Sequence, residues 1–142
     1  MAPPLLSDWV AGYIGIPFRS HGRDHDGCDC WGLLRLVLAE RFDTRIPAFH
    51  GMTWRQGDDR RALAEYMDEH MDIWAEVPPG EEQPGDGILM RLMGHPIHCG
   101  IVVAKGWMLH VEGGADTAVE PYTDIRWNKR VLGFYRYKGI PQ

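Results

Sequence analysis

The sequence predicts an α+β fold, on three observations. Helical periodicity is concentrated in the first half of the chain, short runs of period two fill the second half, and the two never alternate as βαβ units would. At 142 residues the chain is the length of one domain, spanning residues 1–142. Residues 7–14 open with Ser7 and Asp8 as N-cap candidates and run apolar through Trp9, Val10 and Tyr13, a short helix ended by Gly15 and Pro17. Residues 17–29, PFRSHGRDHDGCD, have no periodicity and read as a loop. Residues 31–42, WGLLRLVLAERF, are apolar nearly all round and predict a buried helix whose N-terminus lies at or near Cys30. A connection over residues 43–58 leads to a second helix over 58–74, where Leu63, Tyr66, Met67, His70, Met71 and Trp74 recur at helical spacing. Residues 77–87 form a turn-rich divider. Strands are predicted at 88–93, 97–104, 107–112, 117–122 and 131–137, an antiparallel sheet.

Composition excludes several classes. Hydrophobic residues are 44% and charged residues 25%, values of a globular chain rather than a disordered, collagenous or coiled-coil one. A formal net charge of −5 argues against binding nucleic acid through phosphates. No apolar run is long enough to insert in a membrane, and the start carries no basic segment of a signal peptide, so synthesis in the cytoplasm is expected. Three cysteines, Cys28, Cys30 and Cys99, are too few for a disulfide scaffold and direct attention to thiol chemistry or metal binding.

Cys30 carries the chemical argument. A thiol attacks a carbonyl as thiolate, and the start of a helix supplies partial positive charge that lowers its pKa and N–H groups that can receive an oxyanion. The competing reading is a core cysteine beside Trp31. The base is supplied by two sheet residues, His98 in HCGIVVA and His110 in WMLHVE. A hairpin loop centred on Ala104 would set the two imidazoles directly opposite on one face; a loop centred on Lys105 and Gly106 would put them on different faces. With both on one face, His98 takes the thiol proton and His110 fixes its tautomer.

In order along the chain, GIPF, HGRDHDGCDCWGLL, QPGDGILM, HCGIVVAKG and WMLHV resemble the motifs of the NlpC-type cell-wall cysteine peptidases, over residues 15–111. The resemblance implies a papain-like domain, with N-terminal helices and the nucleophile at a helix start, packed on a C-terminal antiparallel sheet. It implies Cys30 as nucleophile, His98 as general base and His110 as the residue that orients the base. Asp29 matches the acidic residue that recognises a free amino group of the substrate. Trp31 stands where the family usually has Ser, a variant resembling the branch found in phage tails and gene-transfer particles. Phe18 replaces a Tyr near the active site. Pro84, Gly85 and Asp86 match a structural turn. The implied substrate is a peptidoglycan stem peptide, cut at a D-γ-glutamyl to diamino-acid bond by a virion component that docks on tail proteins and thins the wall. No metal or organic cofactor is implied.

Other readings follow from the same residues. Cys28, Cys30, His98, Cys99 and His110 include zinc ligand types, but Cys-x-Cys lacks the structural spacing, and His98 and Cys99 point to opposite strand faces. Phe18 leaves room for a tail component that binds with little or no catalysis, and the thiol could serve acyl transfer or deamidation. Nothing nominates the paired carboxylates of glycan cleavage. Trp54, Trp74, Trp107 and Trp127 are assigned to packing before a sugar-binding groove. His21, Asp24, His25 and Asp26 read as solvated loop residues, Glu112 as a neighbour of His110 or a solvated side chain, and Cys28 and Cys99 as replaceable by Ala.

Overall fold

The computed structural model describes residues 6–46, 65, 73–92 and 95–138. Chain order runs from a 3-10 helix, Asp8–Gly12, through the strand pair β1 (Arg23–Asp24) and β2 (Gly27–Cys28), to helix α1 (Cys30–Arg41). Six strands follow: β3 (Trp74–Val77), β4 (Gly87–Leu92), β5 (His95–Ala104), β6 (Trp107–His110), β7 (Ala118–Pro121) and β8 (Val131–Tyr137). They form one antiparallel sheet in the order β3-β8-β4-β5-β6-β7.

Helix α1 begins where Asp29 stops it from beginning earlier. Asp29 is extended (φ −91°, ψ −178°), and its carboxylate accepts the Gly32 N–H at 2.7 Å, satisfying one of the donors that a helix start leaves open. The first turns are buried all round, at Cys30, Trp31, Gly32, Leu33 and Leu34, as the apolar run predicts. Gly32 is required there: a Cβ would lie 2.0 Å from the Gly22 carbonyl oxygen and 2.9 Å from an Arg23 guanidinium nitrogen. The preceding loop therefore packs directly on the start of the helix.

The central strands of the sheet are buried on both faces, so their apolar runs are nearly continuous and successive side chains enter two different cores. Toward α1, Leu89, Cys99, Ile101, Val103 and Leu109 join Leu33, Leu34, Val37 and Leu38 in one core. On the reverse, Ile88, Met90, Val102 and Met108 join Val77, Tyr122, Trp127 and Phe134 in a second. Asp86, in the turn before β4, ties the edge together: it accepts two bonds from Arg136 of β8, both 2.8 Å, as well as the Gln83 N–H.

Several expectations change. The N-terminal helix is 3-10, and Ser7 occupies the N-cap without a side-chain bond. The 17–29 loop contains β1 and β2, too short for periodicity to register. Trp74, assigned to the end of a second helix, opens β3 and pairs with Tyr137: a bulky aromatic fits an open strand edge as well as a helix face, and sheet pairing wins. The rest of that second helix and the 43–58 connection lie largely outside the described residues. Strands predicted at 107–112 and 117–122 are shorter at their outer ends.

Candidate active site

Cys30 is the first residue of α1 and is 7% exposed. Its sulfur is within hydrogen-bonding reach of the Cys99 thiol and the His98 ring. The bond from Cys99, and then the facing imidazole, hold the Cys30 thiol well below its ordinary range against the opposing effect of burial. Cys99 carries the complementary shift upward, as the thiol that stays protonated and donates. Cys28, by contrast, is fully buried, and loss of hydration pushes it up to about 11. The three cysteines thus differ in surroundings: Cys30 meets an imidazole and a thiol, Cys99 meets Cys30, and Cys28 lies in the core. Cys99 was expected to be dispensable; its contact with Cys30 makes it part of the site. His98 and Cys99 do serve different cores, yet both reach Cys30, so opposite strand faces did not keep them apart.

The two histidines meet, by a route the sequence argument did not foresee. The β5–β6 turn is Lys105–Gly106, with Gly106 at φ +90°, so Ala104 faces Trp107 and the parity is the unfavourable one. A register shift between Val102 and Ala104 restores it, and Val102 then pairs with Met108 and Ile101 with Leu109. This register leaves His98 and His110 on one face but diagonal. The position beside His110 is Gly100, where a Cβ would lie 3.1 Å from the His110 Cβ. Without a side chain at Gly100, the His98 ring reaches across, and its Nε2 lies 2.8 Å from His110 Nδ1. Trp127 stacks on the His98 ring, centroids 5.6 Å apart and planes at 19°, and meets His110 edge-on at 5.1 Å.

The chain of polar contacts continues beyond His110. Its Nε2 bonds to the Glu120 carboxylate of β7, again diagonally, because the residue paired with His110 is the small Ala118. Arg126 donates to Glu120 at 2.7 Å and to Glu112 at 2.6 Å. Burial first, and then the neighbouring His98, hold His110 below its ordinary pKa and therefore neutral; Glu120 pulls the other way. Glu120 and Arg126 escaped sequence analysis. The signal was present as a carboxylate at matching strand parity, but only the register shows which carboxylate reaches the ring. Ligand atoms of His110, Glu112 and Glu120 lie within 4.8 Å of one another, a spacing that could hold a metal ion. The Arg126 guanidinium between the two carboxylates already supplies the positive charge.

Of the three residues expected to touch substrate, Asp29 and Trp31 are buried and Phe18 is half-buried. Asp29, 1% exposed, accepts from Gly32 N–H, from Arg23 at 2.7 Å and from His21 N–H at 3.2 Å, so it caps the helix and anchors the loop. Trp31 lies in the core, edge-on to Trp74 at 6.2 Å. Phe18 is half-buried against the same core and bridges to Cys28. The oxyanion donors also narrow: Gly32 N–H is taken by the Asp29 carboxylate and Leu33 N–H by its carbonyl, 2.8 Å away.

A helix-start cysteine facing a sheet histidine, on one helix packed against a six-stranded antiparallel sheet among the described residues, defines a papain-like α+β protein with a cysteine–histidine site. The chain belongs to the NlpC/P60 family, whose pattern matches residues 15–136. Its fold is similar to that of an NLP/P60-family lipoprotein-like protein from Staphylococcus aureus, with TM-score 0.64 and 19% identity over 92% of this chain and 39% of that one. The P60 domain of an antigen from M. avium subspecies paratuberculosis matches at TM-score 0.58 and 20% identity, over 93% and 90%. The peptidoglycan hydrolase RipB of Mycobacterium tuberculosis matches at TM-score 0.56 and 23% identity, over 93% and 62%. The chain thus spans about two fifths of the length of the staphylococcal protein. No curated protein matches it in sequence.

Proposed function

We propose that the protein is a peptidoglycan hydrolase, a cysteine peptidase that cleaves wall stem peptides at a D-γ-glutamyl to diamino-acid bond. Membership of the NlpC/P60 family and the similarity to RipB, a peptidoglycan hydrolase, support the substrate class. The observation that carries the chemistry is the contact of the Cys30 sulfur with His98, itself bonded to His110 at 2.8 Å. His98 takes the thiol proton; the thiolate adds to the amide carbonyl, forming a C–S bond. The C–N bond then breaks as His98 returns the proton to the leaving amine. Water, deprotonated by His98, cleaves the thioester and releases Cys30. The finer reading, a phage-like tail component acting at the cell wall after cytoplasmic synthesis, rests on Trp31 in place of the family's usual Ser.

Digestion of purified peptidoglycan with mass analysis of soluble peptides tests the proposal. Wild type should release fragments with a new amino terminus at the diamino acid, and Cys30→Ala none. Equal release by both overturns it. Equal silence, with tail particles still assembling, favours the second reading of a binding component.

A further inference from the structure

We propose that Glu120, pinned by Arg126, is a positioning residue that fixes the tautomer of His110 and so leaves His98 Nδ1 as the proton acceptor for Cys30. The inference rests on reading Cys30 and His98 as a reactive pair. A carboxylate paired with a guanidinium accepts hydrogen bonds and donates none, so the contact between Glu120 and His110 Nε2 requires the proton on that nitrogen. A neutral imidazole protonated at Nε2 has a bare Nδ1. The bond from His110 Nδ1 to His98 Nε2, 2.8 Å, must then be donated by His98, and the neutral His98 ring keeps its lone pair at Nδ1. Each assignment follows from the one before, and the sequence begins at Glu120.

The construction around Glu120 supports a positioning role over a surface ion pair. Arg126 spans Glu120 and Glu112 and stacks over Trp127, its guanidinium carbon 4.9 Å from the ring centroid, while Trp127 stacks on His98. One arginine thus braces both ends of the imidazole pair. The charged and titratable groups facing His110 are His98 from β5, Glu112 beyond β6, Glu120 from β7 and Arg126 through both carboxylates. When His98 gains the thiol proton, the Glu120 charge lies beyond a neutral His110 and favours the imidazolium without competing for its proton.

Nitrogen NMR of the imidazoles tests this on wild type directly: His110 should show a protonated Nε2 and a bare Nδ1. Glu120→Gln, whose amide can donate as well as accept, should give a mixture of tautomers. It should also lower the rate of Cys30 alkylation by iodoacetamide at about pH 6 by about tenfold, the scale of losing an outer hydrogen-bond partner. Arg126→Met should shift the alkylation profile in the same direction by less. A wild-type His110 protonated at Nδ1 overturns the proposal, and so does a Glu120→Gln profile that superimposes on wild type. Neither readout needs substrate. If Glu120→Gln moves the profile while no peptide is ever released from peptidoglycan, the positioning role stands and the hydrolase reading falls. If digestion proceeds and the profile stays fixed, the reverse holds.

Discussion

At the scale of single residues, the account turns on what surrounds each sulfur. Cys30 has an imidazole and a thiol donor against it, whereas Cys28 has burial, and the two effects drive their pKa values in opposite directions. Iodoacetamide at neutral pH should label Cys30 first, read by peptide mass mapping. Cys28→Ala should leave that rate unchanged; Cys99→Ala should slow it, because the thiolate loses a donor. In digestion assays Cys30→Ala should abolish turnover and His98→Ala nearly so, with His110→Ala milder. The placement of Cys30 at a helix start and of His98 and His110 on adjacent strands was legible in the sequence, from the apolar run after Cys30 and the two β-prone runs that carry the histidines. Asp29 was legible as a special residue but not in its bonding: besides the Gly32 N–H of α1, His21 and Arg23 donate to it from a loop whose shape no local pattern encodes.

At the scale of elements, glycine positions decide whether the site can assemble. Gly32 lets the 17–29 loop lie on the first turn of α1, and Gly100 lets His98 cross to His110. Gly32→Ala should destabilise the protein by about 1–3 kcal/mol in urea unfolding, the range for overpacking against a neighbour that cannot yield. Gly100→Val should leave the sheet formed, because valine suits a strand, yet push His110 aside. The check is loss of activity at a temperature where circular dichroism shows the variant still folded. Helix α1 and the predicted strands were readable from the length of each apolar run and the Gly, Pro and Asp that bound it, since the run of α1 is long and those of the strands are short and β-prone. The register shift at Val103 was not: it arises where a two-residue turn must be reconciled with cores on both faces, and only the folded hairpin states that conflict.

At the scale of the whole molecule, the buried site makes stability depend on pH. His110 is held below its ordinary 6.5, so an unfolded chain binds a proton there more readily than the folded one. Its contribution is therefore present above about pH 6.5 and is lost as pH falls through the lower folded value. Cys28 acts at the other end. Raised from 9.0 to about 11, it contributes stability that is complete below 9 and is lost as pH rises through 11. Urea midpoints should fall on both sides of neutrality, with the acid fall blunted in His110→Asn and the alkaline fall blunted in Cys28→Ala. The α+β class was legible at this scale because helix and strand patterns are segregated along the chain. The strand order was not, because β3 and β8 come from distant segments and no local pattern names the partner of either.

If His98 ionises Cys30, the thiolate must be present at about pH 6, well below the ordinary thiol range, and the rate of Cys30 alkylation at that pH reads it out. Rapid modification in wild type, with a fall of about tenfold or more in His98→Ala, is the result this site predicts. Equal, slow modification in both proteins, as for an ordinary buried cysteine, would contradict it.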